Sequence, residues 1–274
     1  VITGYKSQYI EHYLNDKYTT ALQPQRLGTG HAVMQAVPFL QQELDGNTLV
    51  LCGDAPFMDA ETIQHALTMH EQQGNAVTVI TAELDQPHGY GRILRTETGI
   101  AGIVEEKDAT EEQRRIQEVN SGAYWFRTAD LIALLDTLEP SNAQGEYYLT
   151  DTVGAAIAAG KRAGAYKTEN ADVVLGANTR KDLLMLNEVA RQKILDKHME
   201  NGVNFVCTDG ILIGRDVEIG AETTILPGTI IKGKTKIGMK STIGPNCLIE
   251  NCSIGDLVTL NYVQAYESLI EDAV

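Results

Sequence analysis

In the last third of the chain, isoleucine returns every sixth residue: Ile213, Ile219, Ile225, Ile231, Ile237, Ile243 and Ile249. No slip interrupts the seven, and glycine follows at 214, 220, 238 and 244. Such a period fits neither an α-helix, which repeats near 3.6, nor an ordinary strand, which repeats at two. It suits a left-handed parallel β-helix, in which each short strand turns one aliphatic side chain inward. Turn-type residues such as Pro227-Gly228 and Pro245-Asn246 would form the corners. After Ile249 the phase shifts and resumes at Ile254, Leu260 and Tyr266, so about three coils are expected before Val274. A solenoid ending without a polar cap leads us to expect a chain cut from a longer protein. Val1, neither a start methionine nor the head of a signal peptide, points the same way.

Upstream, to about residue 175, short apolar runs alternate with helical patterns, the signature of successive βα units. Strands are expected over 48–52, 76–82, 122–126 and 163–167, and helices over 128–138 and 146–159. A longer helix from 180 to 200 carries Leu183, Leu186, Val189, Ala190, Ile194 and Leu195 at helical spacing, and Gly202 closes it. The class is α/β followed by a helix and a β-helix.

The 274 residues are 43% hydrophobic and 22% charged, ordinary values for a soluble globular protein. Lys and Arg number 22 against 37 Asp and Glu, a formal charge of -15. That field repels a nucleic-acid backbone or an anionic bilayer, and excludes both as natural partners. An anionic ligand would need backbone N–H groups, a cation or local basic residues. Cys52, Cys207, Cys247 and Cys252 form no C-x-x-C, so reduced thiols in the cytoplasm are expected.

Several short motifs bear polar groups beside strands or helix starts. Leu27-Gly28-Thr29-Gly30-His31-Ala32 precedes a helical pattern and reads either as a capping turn or as a backbone cradle for an anion or a base edge. The strand run 48–52 ends in Cys52-Gly53-Asp54, and ligands of open α/β sheets gather beyond the carboxyl ends of strands. Asp54 there suits Mg2+, which takes one or two protein carboxylates, or equally an Asx-turn before Pro56. His88-Gly89-Tyr90-Gly91-Arg92 brings glycines and a base together, and Gly102-Ile103-Val104-Glu105-Glu106-Lys107 and Val119-Asn120-Ser121-Gly122 supply carboxylates and amides of the kind that recognise sugar hydroxyls. Asn178 reads as a helix cap before Thr179 and Asp182. G-x-S-x-G, H-E-x-x-H, Walker A and G-x-G-x-x-G are all absent.

In order, Gln23, the Gly28–Ala32 segment, Cys52-Gly53-Asp54-Ala55-Pro56, Gly89-Tyr90-Gly91-Arg92, Gly102–Glu105, Lys107–Thr110, Asn120-Ser121-Gly122 and Asn142-Ala143-Gln144-Gly145-Glu146-Tyr147-Tyr148-Leu149-Thr150-Asp151 resemble one family closely. It is the bacterial bifunctional N-acetylglucosamine-1-phosphate uridylyltransferase and glucosamine-1-phosphate N-acetyltransferase, and the resemblance covers nearly the whole chain. It implies a Rossmann-like nucleotidyltransferase domain over 1–178, a linker helix over 179–202 and the first coils of a left-handed β-helix over 203–274. It also implies a homotrimer formed through the β-helix. By the same resemblance Gln23 and Gly28 would read uracil. Thr29, Cys52, Gly53, Gly91, Glu105 and Asn120 would line the ribose and N-acetylglucosamine pockets. Asp54 and Asn178 would hold Mg2+ as the catalytic pair. The implied reaction takes UTP and N-acetylglucosamine-1-phosphate to UDP-N-acetylglucosamine and pyrophosphate, with acetyl-CoA used only by the longer parent.

Departures from the family set further expectations. The family's opening L-x-A-G-x-G-T-x-M loop has no counterpart here, Cys52 stands where Tyr is common, and Ala55-Pro56-Phe57 replaces T-P-L or V-P-L. A chain of this extent is therefore expected to keep uridine, sugar and Mg2+ ligands but little turnover. Another sugar-1-phosphate nucleotidyltransferase, or a noncatalytic trimeric scaffold, are the competing readings.

Overall fold

The computed structural model describes residues 1–97 and 99–274. The chain divides into two compact units, Val1–Gly176 and Ala177–Val274. Among the described residues no helix is long and apolar enough to cross a membrane.

The first unit runs β1 (Ile2–Thr3), α1 (Ser7–Leu14), β2 (Ala21–Leu22), α2 (Thr29–Met34), α3 (Val37–Leu40), β3 (Asn47–Val50), α4 (Ala60–Gln73), β4 (Val77–Glu83), β5 (Arg92–Thr96), β6 (Gly99–Val104), β7 (Glu118–Arg127), α5 (Thr128–Leu135), α6 (Asp151–Ala158) and β8 (Ala163–Lys167). A six-stranded sheet takes the order β6-β5-β7-β4-β8, with β3 also on β7. β4 is buried over all but its last residue and lies between antiparallel β7 and parallel β8, so its near-continuous apolar and threonine run is that of a central strand. The expected βα alternation is interrupted by the β5–β6 hairpin, whose short segments the sequence reading did not assign as strands. The helix expected from residue 146 begins instead at Asp151. The preceding residues are drawn away from helix because Tyr147 donates its N–H to Leu27 O at 2.7 Å and accepts from Gly30 N at 2.8 Å.

Helix α4 starts at Asp59, whose carboxylate accepts from Thr62 N at 2.7 Å, and ends at Gly74 with φ 63. Its His70 is buried, with Nδ1 2.9 Å from Thr78 Oγ1. The chain's one tryptophan, Trp125, donates from Nε1 to Ile63 O at 3.0 Å and so ties α4 to β7.

In the second unit, α7 (Arg180–Glu200) matches the expected span and opens with a reciprocal Thr179/Asp182 capping box. Its apolar face is narrower than expected: Leu186 and Leu195 are buried while Leu183 is 52% exposed. Gly202 follows with φ 84. Beyond it lie three parallel four-stranded sheets. One holds Leu212–Ile213, Ile230–Lys232, Leu248–Glu250 and Gln264–Tyr266. A second holds Glu218–Ile219, Lys236–Ile237, Ser253–Ile254 and Leu269–Ile270. The third holds Asn204–Phe205, Thr224–Ile225, Thr242–Ile243 and Thr259–Leu260. That is four layers where about three were expected.

All seven hexad isoleucines are buried in the second unit's core. The glycines after them answer to close coil contact: a Cβ at Gly220 would sit 2.7 Å from the Gly238 carbonyl carbon. A second buried row lies two residues before each isoleucine, with Thr223, Thr229, Thr235 and Ser241 facing in. Three of these hydroxyls bind the next coil's backbone: Thr223 Oγ1 donates to Gly238 O at 2.7 Å, Thr235 Oγ1 accepts from Cys252 N at 3.3 Å and Ser241 Oγ accepts from Val258 N at 3.0 Å. One expectation fails at the end of the repeat. Register pairs Ile213 with Ile231, Ile231 with Ile249 and Ile249 with Ala265, so the last step is two residues shorter. Ala265 occupies the inward position at 8% exposure, and Tyr266 is 50% exposed.

Two outcomes follow from this packing. Ile231→Ala should cost about 2–5 kcal/mol, and Tyr266→Ala less than about 0.5 kcal/mol, in a denaturation followed by far-UV circular dichroism; equal costs would refute the assigned register. In the first unit, burial and then the Arg127 charge push the His70 pKa down to about 4. The unfolded chain, with His near 6.5, binds the extra proton between those values, so stability falls with falling pH across that window by about 3 kcal/mol. Urea titrations read by Trp125 fluorescence should show this slope in the unaltered chain and not in His70→Gln.

Candidate active site

Two groups of predicted residues assemble within the first unit. The first surrounds Leu27–Gly30. Gly28 adopts φ 107 at the entrance to α2, and a Cβ there would lie 2.6 Å from Tyr147 O. Only glycine lets the two backbones approach this closely. The loop is sewn to the later segment by the two Tyr147 bonds and by Leu149 N, which donates to Thr29 Oγ1 at 3.1 Å. Gln23, just after β2, donates from Nε2 to Gly28 O at 3.0 Å and lies 3.1 Å from His31 Nδ1. An amide side chain and a glycine carbonyl thus share one wall, a pairing that can read a base edge.

The second group is Gly91, Glu105 and Asn120, from three segments of the sheet. Asn120 N donates to Gly91 O at 2.9 Å. The Glu105 carboxylate lies so close to Gly91 that a Cβ there would be 3.3 Å from Oε2. Thr150 Oγ1 donates to Glu105 Oε1 at 3.1 Å. Burial raises the Glu105 pKa, the Thr150 hydrogen bond opposes that rise, and the Asp151 and Asp108 carboxylates add to it. Asn120 Oδ1 accepts from Gly122 N at 2.9 Å, and its side chain also bonds Tyr124. Burial above all, then Glu105, keeps the Tyr124 hydroxyl protonated far above its usual range. A cavity of about 350 Å3 opens here, lined by Val104, Glu105, Asp108, Asn142, Tyr148 and Asp151 among others. Acceptors and amides around such a space suit hydroxyl and N–H groups.

Cys52, Gly53 and Asp54 follow β3 and are exposed. Cys52 Sγ donates to Gly122 O at 3.4 Å, beside a glycine at φ 77 whose Cβ would strike that sulfur. Asp54 lies against Gly176, where a Cβ would be 3.4 Å from Asp54 O. The cap of α4 is Asp59, not Asp54. Asn178 falls in the second unit, where its backbone N–H donates to Asp182 Oδ2 at 3.1 Å and the capping side chain is that of Thr179. Among the described residues no group of three or more His, Cys, Asp or Glu side chains is placed to hold a metal. The exposed Asp54 carboxylate is a hard-oxygen donor of the kind that a divalent cation such as Mg2+ accepts.

Tyr147, Thr150, Asp108 and Asp151 had no role assigned from sequence, although all but Asp108 lie in the Asn142–Asp151 motif that carries part of the resemblance. The signal was the motif itself, but its contacts to Gly28 and Glu105 span too much chain for local pattern to reveal.

The geometry gathers amides, a carboxylate and glycine backbone at the ends of strands in an α/β sheet. The sequence pattern of the nucleotidyl transferase family matches residues 1–177, and the chain belongs to that family. It is 43% identical over 273 residues to the Bifunctional protein GlmU of Acetivibrio thermocellus, covering 99% of this chain and 59% of that protein. Against the Bifunctional protein GlmU of Fervidobacterium nodosum the identity is 45% over 274 residues, with 100% and 59% covered. The chain thus spans about three fifths of the length of these relatives. A solved Bacillus anthracis structure described as a glucose-1-phosphate thymidylyltransferase in complex with a sucrose shares the fold, with a TM-score of 0.55 at 21% identity over 69% of this chain and 74% of that one.

Gly28→Ala should strain the loop by about 1–3 kcal/mol. The expected readout is faster amide exchange at Gly30 and Tyr147, whose bonds close the loop; unchanged exchange at both would show that the approach does not require glycine.

Proposed function

We propose that this chain is the uridylyl-transferring part of an enzyme that makes UDP-N-acetylglucosamine and pyrophosphate from UTP and N-acetylglucosamine-1-phosphate, with Mg2+ as cofactor. The observation that most supports this is the meeting of Gly91, Glu105 and Asn120, distant in sequence, with Glu105 also lining a cavity of polar side chains. Residues 1–178 would carry the transfer, 179–202 the linker and 203–274 a trimer-forming β-helix, in a cytoplasmic protein. Acetyl transfer from acetyl-CoA would belong to the longer parent.

In this reading Gln23 and the Gly28 backbone hold uracil, and Thr29, Cys52 and Gly53 border the ribose. Glu105 accepts from sugar hydroxyl or N–H groups, and Asn120, fixed by its bonds to Gly122 and Tyr124, offers its amide to the same sugar. Asp54 and Asn178 would hold Mg2+, which would supply positive charge to offset that of the phosphates. That answers the difficulty of bringing two anions to a protein of charge -15. The sugar-phosphate oxygen attacks the α-phosphorus of UTP and pyrophosphate leaves, a reaction that asks of the protein chiefly orientation and charge neutralisation.

Calorimetric titration provides the test. UDP-N-acetylglucosamine should bind at least about tenfold more tightly than UDP-glucose, a difference of about 1.4 kcal/mol. Mg2+ should strengthen binding, and Asp54→Ala should remove that dependence. Equal affinity for the two sugars would favour another sugar-1-phosphate nucleotidyltransferase, and no binding by either would favour a scaffold.

A further inference from the structure

The side chain that follows Gly91 is one that the motif reading treated only as a base beside glycines. Arg92 is 1% exposed, among the largest fully buried side chains in the protein. A guanidinium that keeps its charge in such a place needs partners from whatever surrounds it. Its Nη1 donates to Tyr90 O, and its Nη2 donates to Glu106 Oε2 at 2.7 Å and to Arg114 O at 3.3 Å. Its Nε is buried without a partner, so the fork is held by its two ends.

Register explains why these partners matter. Arg92 pairs with Val104 on β6 and with Val119 on β7. The residue that follows each of those partners is a candidate sugar-site residue, Glu105 and Asn120, and the residue before Arg92 is Gly91. Glu105 and Glu106 lie just past the end of β6, where Glu105 accepts from Thr150 and Glu106 accepts from Arg92. The guanidinium thus grips Tyr90, the neighbour of Gly91, and Glu106, the neighbour of Glu105. Partial burial alone would push the Glu106 carboxyl up, but the Arg92 hydrogen bond and charge, a Gly89 N–H and His88 together hold it below its ordinary value. The third bond, to Arg114 O, anchors the loop that leads from Glu106 back to β7.

We propose that Arg92 is a positioning residue for the sugar end of the site, a single buried guanidinium that sets the separation of Gly91 and Glu105 by gripping the residue next to each. This rests on the sugar-nucleotide reading above and adds to it a residue that touches no ligand. Its effect should fall on the sugar and spare the uracil end, where Gln23 and Gly28 are held by separate bonds.

The test compares UDP-N-acetylglucosamine with UDP as titrants of the full chain. Arg92→Gln should weaken the sugar nucleotide by about tenfold or more while leaving UDP within about twofold. Arg92→Lys, which keeps the charge but not the fork, should fall between, and Glu106→Gln should reproduce the same selective loss. Arg95→Gln breaks an ion pair on the same strand, Arg95 Nη2 to Glu118 Oε1 at 2.5 Å, and should leave the ratio of the two affinities unchanged. Loss of both ligands together in Arg92→Lys, with Trp125 fluorescence still native, would make Arg92 a structural residue and overturn the proposal. An unchanged ratio in all three Arg92 and Glu106 variants would overturn it too. If the unaltered chain binds UDP but gains nothing from the sugar, the underlying sugar reading fails first, and the positioning role fails with it.

Discussion

The backbone pairing of β7 is the constraint on which the first unit depends. This strand of 10 residues pairs with β3 and β5 along one side and with β4 along the other. Its early residues carry Asn120 to Gly91 and Gly122 to Cys52, and its later residues, Tyr124 and Phe126, enter the core. A shift of one residue would exchange these two sets of side chains between core and surface. Site geometry and core packing are therefore fixed by the same hydrogen bonds, and neither can drift without the other. The irregularity in register between Val79 and Thr81 falls where the strand passes from one task to the other.

The electrostatics around the cavity follow from where its carboxylates sit. Burial and the Asp108 charge raise the Asp151 pKa, and the Glu105 carboxyl is raised by burial and by both aspartates. Gathering acids here costs stability, as grouped like charges do. Their hydrogen bonds from Thr150 and from the Ala143 backbone limit that cost and fix their directions. A site so built is arranged to accept hydrogen bonds.

Much of the fold could be read from residues alone where the pattern is local or strictly repeated. The isoleucine hexads define a stack because a buried row in a solenoid must recur once per strand, and α7 is legible because Thr179 and Asp182 mark its start. The reading failed at Tyr266 because it extended the repeat mechanically, while a shortening coil passes the inward place to Ala265. The row of Thr223, Thr229, Thr235 and Ser241 has the same period but was hidden by its polarity, since buried hydroxyls are recognisable only once the neighbouring coil's carbonyls are in place. Motif order also marked Gly28, Gly91, Glu105 and Asn120 as candidates for one site. It could not reveal the burial of Arg92, whose partners come from a hairpin and a loop, nor the non-helical path at Tyr147, where a tertiary backbone bond outweighs local helical pattern.

Every strand pairing of the second unit joins one coil to the next in the stack. Such an object behaves as a one-dimensional material, in which an error in one coil is felt by its two neighbours and fades beyond them. Insertions at a corner would be absorbed locally, and force applied along the axis would peel the stack coil by coil, in a sawtooth of small ruptures rather than one large one.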